Sequence, residues 1–164
     1  MKQQIEKTLR RRKKKKITGK NLRASAVLIP LFCNQGQYHV LLTKRSEEVD
    51  FHKGQVCFPG GTREPSDSSL LQTALREVEE EIGLKATDVE ILGELDDMLT
   101  FVTNYVISPF VAFIPHPHSL RTNGREVKGA FFVPLSFLMD EANFRQDSYA
   151  YEYEGHIIWG ATAR

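Results

Sequence analysis

The sequence has no long hydrophobic run. Its most apolar stretches are AVLIPLFC (Ala26–Cys33) and GAFFVPL (Gly129–Leu135), far short of the roughly 20 apolar residues that cross a bilayer as a helix. No apolar segment follows the basic N-terminus, so no secretory signal is expected. Cysteine is scarce: Cys33 and Cys57 are the two in the chain, too few for a disulfide scaffold. Each lies in an apolar, strand-like run, which predicts buried reduced thiols and a cytoplasmic location. The first 23 residues lack aromatic side chains and nearly lack acids. They carry eleven Lys or Arg against Glu6, a net charge of +10, while the remainder carries eleven basic against twenty acidic residues, a net charge of −9. The run RRRKKKK (Arg10–Lys16) repels itself and has nothing apolar to bury, which predicts a solvated, flexible arm, disordered or a frayed helix, over residues 1–21. Without aromatic residues to stack bases, contact of this arm with nucleic acid would rest on charge alone.

What remains, residues 22–164, is long enough for one domain with its own core. LRASAVLIPLF and YHVLLTKR read as strands joined by the turn NQGQ. VEILGEL, YVISPFVAFI and VKGAFFVPL read as further strands, LSFLMDEA as a short helix, and SYAYEYEG with HIIWGATA as a final hairpin. A strand that closes a chain without cover is unusual, and a covering C-terminal helix beyond Arg164 is one reading of it. Many strands around one strongly periodic helix predict an α/β fold, a mixed β-sheet covered by helices.

That helix is expected over Ser68–Ile82, capped by Asp67 or Ser66 and closed by Gly83. With Leu71 at 0° and about 100° per residue, Ala74, Leu75, Val78 and Ile82 fall within about 60° of it. Glu77, Glu80 and Glu81 fall at about 240°, 180° and 280°, and Glu79 at about 80°. Three carboxylates therefore converge and one diverges. Hard oxygen donors of this kind suit Mg²⁺ or Mn²⁺ shared with phosphate oxygens. The alternative from the residues alone is a solvated acidic face, with Arg76 in a surface ion pair. The FPGG turn upstream (Phe58–Gly61) favours the metal platform, because glycine lets backbone approach a ligand closely.

The run Arg76-Glu77-Val78-Glu79-Glu80-Glu81-Ile82-Gly83-Leu84 resembles the second half of the Nudix box. The first half departs from the usual pattern: from Gly61, five residues lead to Asp67 in place of glutamate, and eight rather than seven residues separate it from Arg76. That spacing resembles the coenzyme A pyrophosphatase branch of the Nudix hydrolases. So do Leu41-Leu42-Thr43-Lys44-Arg45-Ser46, Gly54 and Phe58-Pro59-Gly60-Gly61, although Asp50 stands where the branch carries an arginine. The resemblance extends from Leu22 to Arg164. It implies a Nudix α/β/α sandwich with a loop–helix–loop catalytic motif. It implies divalent metal on Glu77, Glu80, Glu81 and the Gly61 carbonyl, with Arg76 orienting the glutamates and Glu77 or Glu126 as general base. Arg45, Lys53 and His52 are the candidates for holding substrate phosphate, and Trp159 and Phe101 are expected in the core, with stacking on the substrate the alternative. The implied reaction is hydrolysis of a nucleoside diphosphate linked to another group, foremost coenzyme A, giving adenosine 3′,5′-bisphosphate and 4′-phosphopantetheine. ADP-ribose, NADH or nucleoside triphosphates are the alternative substrates, and a non-catalytic nucleotide sensor is the alternative of another kind. A homodimer is compatible with all of these readings.

Overall fold

The computed structural model describes residues 1–47, 53–100, 104–117 and 120–164. After helix α1 (Lys2–Arg11), strands β1 (Arg23–Asn34) and β2 (Gln37–Arg45) form an antiparallel hairpin. Its turn residues, Gln35 and Gly36, both have positive φ, as a tight hairpin turn requires. Short strands β3 (Val56–Cys57) and β4 (Gly60–Thr62) follow, then α2 (Leu70–Ile82), β5 (Glu90–Glu94), β6 (Met98–Leu99), β7 (Tyr105–Phe113) and β8 (Val127–Pro134). These eight strands form one mixed sheet. β7 runs parallel to β1 over nine residue pairs, from Arg23↔Tyr105 to Leu31↔Phe113, while β2, β4 and β5 pair antiparallel with their neighbours. A further segment, α3 (Leu135–Met139) with β9 (Phe144–Arg145), β10 (Ala150–Tyr153) and β11 (His156–Trp159), ends the chain. Its three strands form a separate antiparallel sheet.

Both faces of the large sheet are covered, as the period-two alternation along its strands demands. On one face Ala26, Leu28, Leu41 and Ala112 pack with Ala74, Val78 and Ile82 of α2. On the other, Leu31, Val40, Leu42, Val111 and Val133 pack with Ile5 and Leu9 of α1, Leu135 and Phe137 of α3, and Ile158 of the small sheet. The result is an α/β/α sandwich, as the sequence leads one to expect. The two cysteines are free, and Cys33 is exposed rather than buried; it lies at the hairpin end of β1, where the sheet outruns its cover.

The basic arm departs most from the sequence reading. Instead of a solvated tail it is a helix and an extended strap lying along the acidic edge of the sheet. Leu9 presses so closely on β5 that a Cβ on Gly93 would lie 2.5 Å from its own Cβ. Arg12 pairs with Asp96 at 2.8 Å, and Lys14 Nζ pairs with both Glu94 and Asp97 at 2.8 Å. The backbone N–H groups of Lys15 and Ile17 donate to Asp96 and Asp97. Burial opposes the charge on Lys14, but its bonds to Asp97 and Glu94 outweigh that, and its pKa is raised. The cations of the arm do repel one another. Their partners, some 80 residues away in sequence, reverse the balance. Lys14→Ala would leave the nearly buried Asp97 without its cation and is expected to lower stability by about 1–3 kcal/mol. Lys13→Ala, in an exposed side chain, should stay within about 0.5 kcal/mol. Urea melts of the two variants check this, and equal losses would refute the keyed role of Lys14.

Candidate active site

Helix α2 begins two residues later than its periodicity suggests. Ser69 is its N-cap and accepts from Gln72 N–H, and Gly83 closes it in the left-handed conformation at φ 70°. Asp67, expected at the cap, does something else. It is buried and accepts from Glu64 N–H and Thr73 Oγ1, both at 2.9 Å, and from Arg76 Nε and Nη2, both at 3.1 Å. The paired bonds from Arg76, then that from Glu64, hold its carboxyl far below the ordinary carboxylate range. Arg76 spends its remaining N–H groups on the Thr62 carbonyl and on Glu77 and Glu80, at 3.0–3.1 Å. All five guanidinium donors are thus used, which fixes its plane.

The buried residues of α2 are Thr73, Ala74, Val78, Glu81 and Ile82. On the helical wheel their midline lies near 290°, not at Leu71. The helix is rolled because Thr73 turns inward to Asp67 and Glu81 to the Gly60 N–H, which it accepts at 3.0 Å. Glu81, expected to face outward, is 1% exposed. Glu79 and Glu80 are exposed. The expected convergence is therefore redistributed: Glu77 and Glu81 meet Glu126, with carboxylate oxygens of all three within 4.8 Å of one another, while Glu80 stays on the far side of Arg76.

Glu126 reaches this cluster because its loop is stapled to the end of α2. Arg121 and Asn123 donate backbone N–H bonds to Ile82 and Glu81, and Asn123 Oδ1 accepts from the N–H groups of Glu126 and Val127. Gly61 abuts Glu77 so closely that a Cβ there would lie 2.4 Å from the carboxylate carbon. Burial raises the pKa of Glu77 against the opposing pull of Arg76, with Glu80 and Glu126 adding to the rise. Burial pushes Glu81 up to about 8, with Glu77 adding to it and the Gly60 N–H opposing it. Three crowded carboxylates, one of them buried with no salt bridge among the described residues, fit a divalent cation by donor chemistry and by charge.

The cluster opens into a cavity of about 790 Å³ whose wall includes Arg23, Arg45, Cys57, Tyr105 and Trp159. Arg45 stands where the sequence reading wants a phosphate partner, and its Nε is buried without a hydrogen bond among the described residues. Lys53 is exposed and off the cavity wall. His52, Asp50 and Phe101 lie outside the described residues. Trp159, expected in the core, is 48% exposed and faces the cavity, because odd positions of β11 point away from the packed Ile158. Arg23 and Tyr105 are wall residues that the sequence reading missed. Alternation along β1 puts Arg23, Ser25 and Val27 on one face, but the parallel pairing that adds Tyr105 and Ile107 is not legible in the chain.

An arginine-braced row of glutamates on a loop–helix–loop, set against a mixed sheet between helical layers, defines a pyrophosphohydrolase of a kind that generally works with divalent metal. The NUDIX domain model matches residues 22–152, and the chain belongs to the Nudix hydrolase family. It is 39% identical over 153 residues to an uncharacterized Nudix hydrolase NudL of Photorhabdus laumondii, covering 87% of this chain and 81% of that one. NudL of Yersinia enterocolitica is 37% identical, with 87% and 77% covered. Among solved structures, a NUDIX hydrolase from Alicyclobacillus acidocaldarius superposes with a TM-score of 0.59 at 21% identity, over 71% of this chain and 81% of that one. The NUDIX domain of Shewanella oneidensis NrtR, complexed with ADP ribose, gives 0.57 at 21% identity, over 72% and 76%. These two share the fold.

The raised pKa of Glu81 sets a pH dependence. Between about 4.5 and about 8 the metal-free folded protein keeps a proton that the unfolded chain has released, so this group's contribution to stability falls as pH rises. In EDTA, Glu81→Gln should therefore gain in Tm relative to the parent as pH goes from about 5 to about 8.5. Divalent metal should raise Tm of the parent and not of the variant. A constant difference across that range would refute the assignment.

Proposed function

We propose that this enzyme hydrolyses coenzyme A or a derivative at its diphosphate, giving adenosine 3′,5′-bisphosphate and 4′-phosphopantetheine, with Mg²⁺ or Mn²⁺. The observation that carries the reading is the continuity of the acidic cluster with a cavity that also presents arginine and aromatic side chains. Carboxylates alone would repel the substrate, and the wall supplies what a nucleotide needs. The branch-like spacing from Gly61 to Arg76, now explained by the seat of Asp67 beneath Arg76, supports the same choice. Two free thiols are compatible with a cytoplasmic setting.

In this reading Glu77, Glu80, Glu81 and Glu126 would hold a divalent ion together with the Gly61 carbonyl. When bound, a divalent ion neutralises the diphosphate oxygens and makes water a better nucleophile at neutral pH. Arg76 keeps Glu77 and Glu80 in place, and Asp67 keeps Arg76 in plane. Arg45 faces the diphosphate from the cavity wall, and Lys53 and His52 stay sequence-level candidates for phosphate contact. The Glu126 carboxylate, the most exposed of the cluster, accepts the proton of the attacking water, with Glu77 as the second candidate. One P–O bond of the anhydride breaks as the water oxygen bonds to phosphorus, and two phosphomonoesters leave. Asp50 in the sequence, where the branch carries a cation, favours ADP-ribose or NADH as the second reading.

A screen of coenzyme A, its acyl esters, ADP-ribose, NADH and nucleoside triphosphates with each metal tests the proposal; faster turnover of ADP-ribose or NADH would overturn it. On the best substrate, Glu126→Gln should lower kcat by about 10²–10⁴-fold and Glu79→Gln by no more than about twofold. A Glu79→Gln loss as large as that of Glu126→Gln would contradict the geometry.

A further inference from the structure

Two cations stand on the cavity wall, Arg23 and Arg45, against the four carboxylates of Glu64, Glu77, Glu81 and Glu126. They are held in different ways. Arg45 lies beside the acidic cluster, close enough to act on the charge of Glu81. Arg23 makes no ion pair among the described residues, although Glu64 shares its wall. Its guanidinium instead lies over the Tyr105 ring, 4.8 Å from the centroid.

Tyr105 is itself fixed. It is the direct partner of Arg23 in the parallel β1–β7 register, and its hydroxyl accepts from Thr62 Oγ1 at 3.4 Å. The Arg23 backbone N–H is tied to the Asn104 carbonyl at 2.9 Å. A guanidinium seated on a ring keeps its charge and its in-plane N–H groups for an outside acceptor. Its place is set by the strand. Ala26 is paired with Gly61, which abuts Glu77, and Arg23 is three residues further along β1, about 10 Å. That is a nucleoside-sized step from the carboxylates.

We propose that Arg23 on Tyr105 is an anion subsite that takes a second phosphate, a phosphomonoester carried by the nucleoside apart from the diphosphate that is cleaved. The ligand class is a nucleoside bisphosphate. This rests on the hydrolase reading above for its catalytic meaning, but the subsite itself is a binding claim.

The test has a binding arm and a kinetic arm. Trp159 is the one tryptophan of the chain and lies on the same cavity wall, so its fluorescence reports occupancy in EDTA. The parent protein should bind adenosine 3′,5′-bisphosphate roughly 10- to 100-fold tighter than adenosine 5′-monophosphate. Arg23→Gln should bring the bisphosphate down to the affinity of the monophosphate and leave the monophosphate unchanged, and Arg23→Lys should restore part of the difference. Equal affinities in the parent, no binding of either ligand, or unchanged discrimination in Arg23→Gln would each overturn the proposal. In turnover, Arg23→Gln should raise KM for coenzyme A roughly tenfold, at unchanged kcat, and leave dephospho-coenzyme A unaffected. If no diphosphate is hydrolysed by the parent, the hydrolase reading fails while the binding arm still decides the subsite.

Discussion

Glu81 lies on the cavity floor with 1% of its surface exposed, accepting a backbone N–H from Gly60 and no salt bridge among the described residues. Burying a carboxylate this way costs free energy unless charge of the opposite sign is brought to it. Much of the neighbouring structure follows from that constraint. Helix α2 is rolled so that Glu81 points inward, at the expense of the apolar stripe centred on Leu71. The two glycines of β4 keep the backbone thin where Glu77 and Glu81 come close. The loop carrying Glu126 is tied to the C-terminal end of α2, so a third carboxylate joins a site already crowded with negative charge. The fold holds these groups together against their repulsion, and a divalent cation is the chemical species that offsets most of their charge.

The arginines divide the labour. Arg76 has every donor engaged by Asp67, Thr62, Glu77 and Glu80, so it acts as a brace and has nothing left for substrate. Arg45 and Arg23 face the cavity with donors to spare. One fold thus keeps separate the cation that organises the glutamates and the cations that face the cavity. Asp67 is the hinge of that separation, because without it the Arg76 plane would be free to turn toward the more exposed glutamates.

The arm follows the same electrostatic logic on the outside of the molecule. Lys14 and Arg12 are matched to Glu94, Asp96 and Asp97, and Ile5 and Leu9 add apolar cover to the sheet. The chain's two opposite net charges meet across one edge. Asp97 also accepts from Ser108 Oγ of β7, so the strap is connected to a strand whose first residue, Tyr105, lines the cavity.

Local pattern in the sequence was enough for the hairpin of β1 and β2, the later strands, the periodic helix and its Gly83 stop, and for the Nudix resemblance with its divergent spacing. These rest on neighbours in the chain, where alternation and helical period act directly. The seat of Asp67, the inward turn of Glu81, the exposure of Trp159 and the docking of the arm were not legible there. Each depends on more than local pattern: Asp67 on Arg76 across the start of α2, Glu81 on Gly60, Lys14 on Asp97, and Trp159 on which face of β11 packs. Glu126 was legible as a loop carboxylate, but its place in the cluster depends on Asn123 bonding to α2. The residue types that do the chemistry were determined by the sequence alone. Which glutamates face one another, and which cations face the cavity, was decided by tertiary structure, because charge acts through space and the sheet register sets the distances.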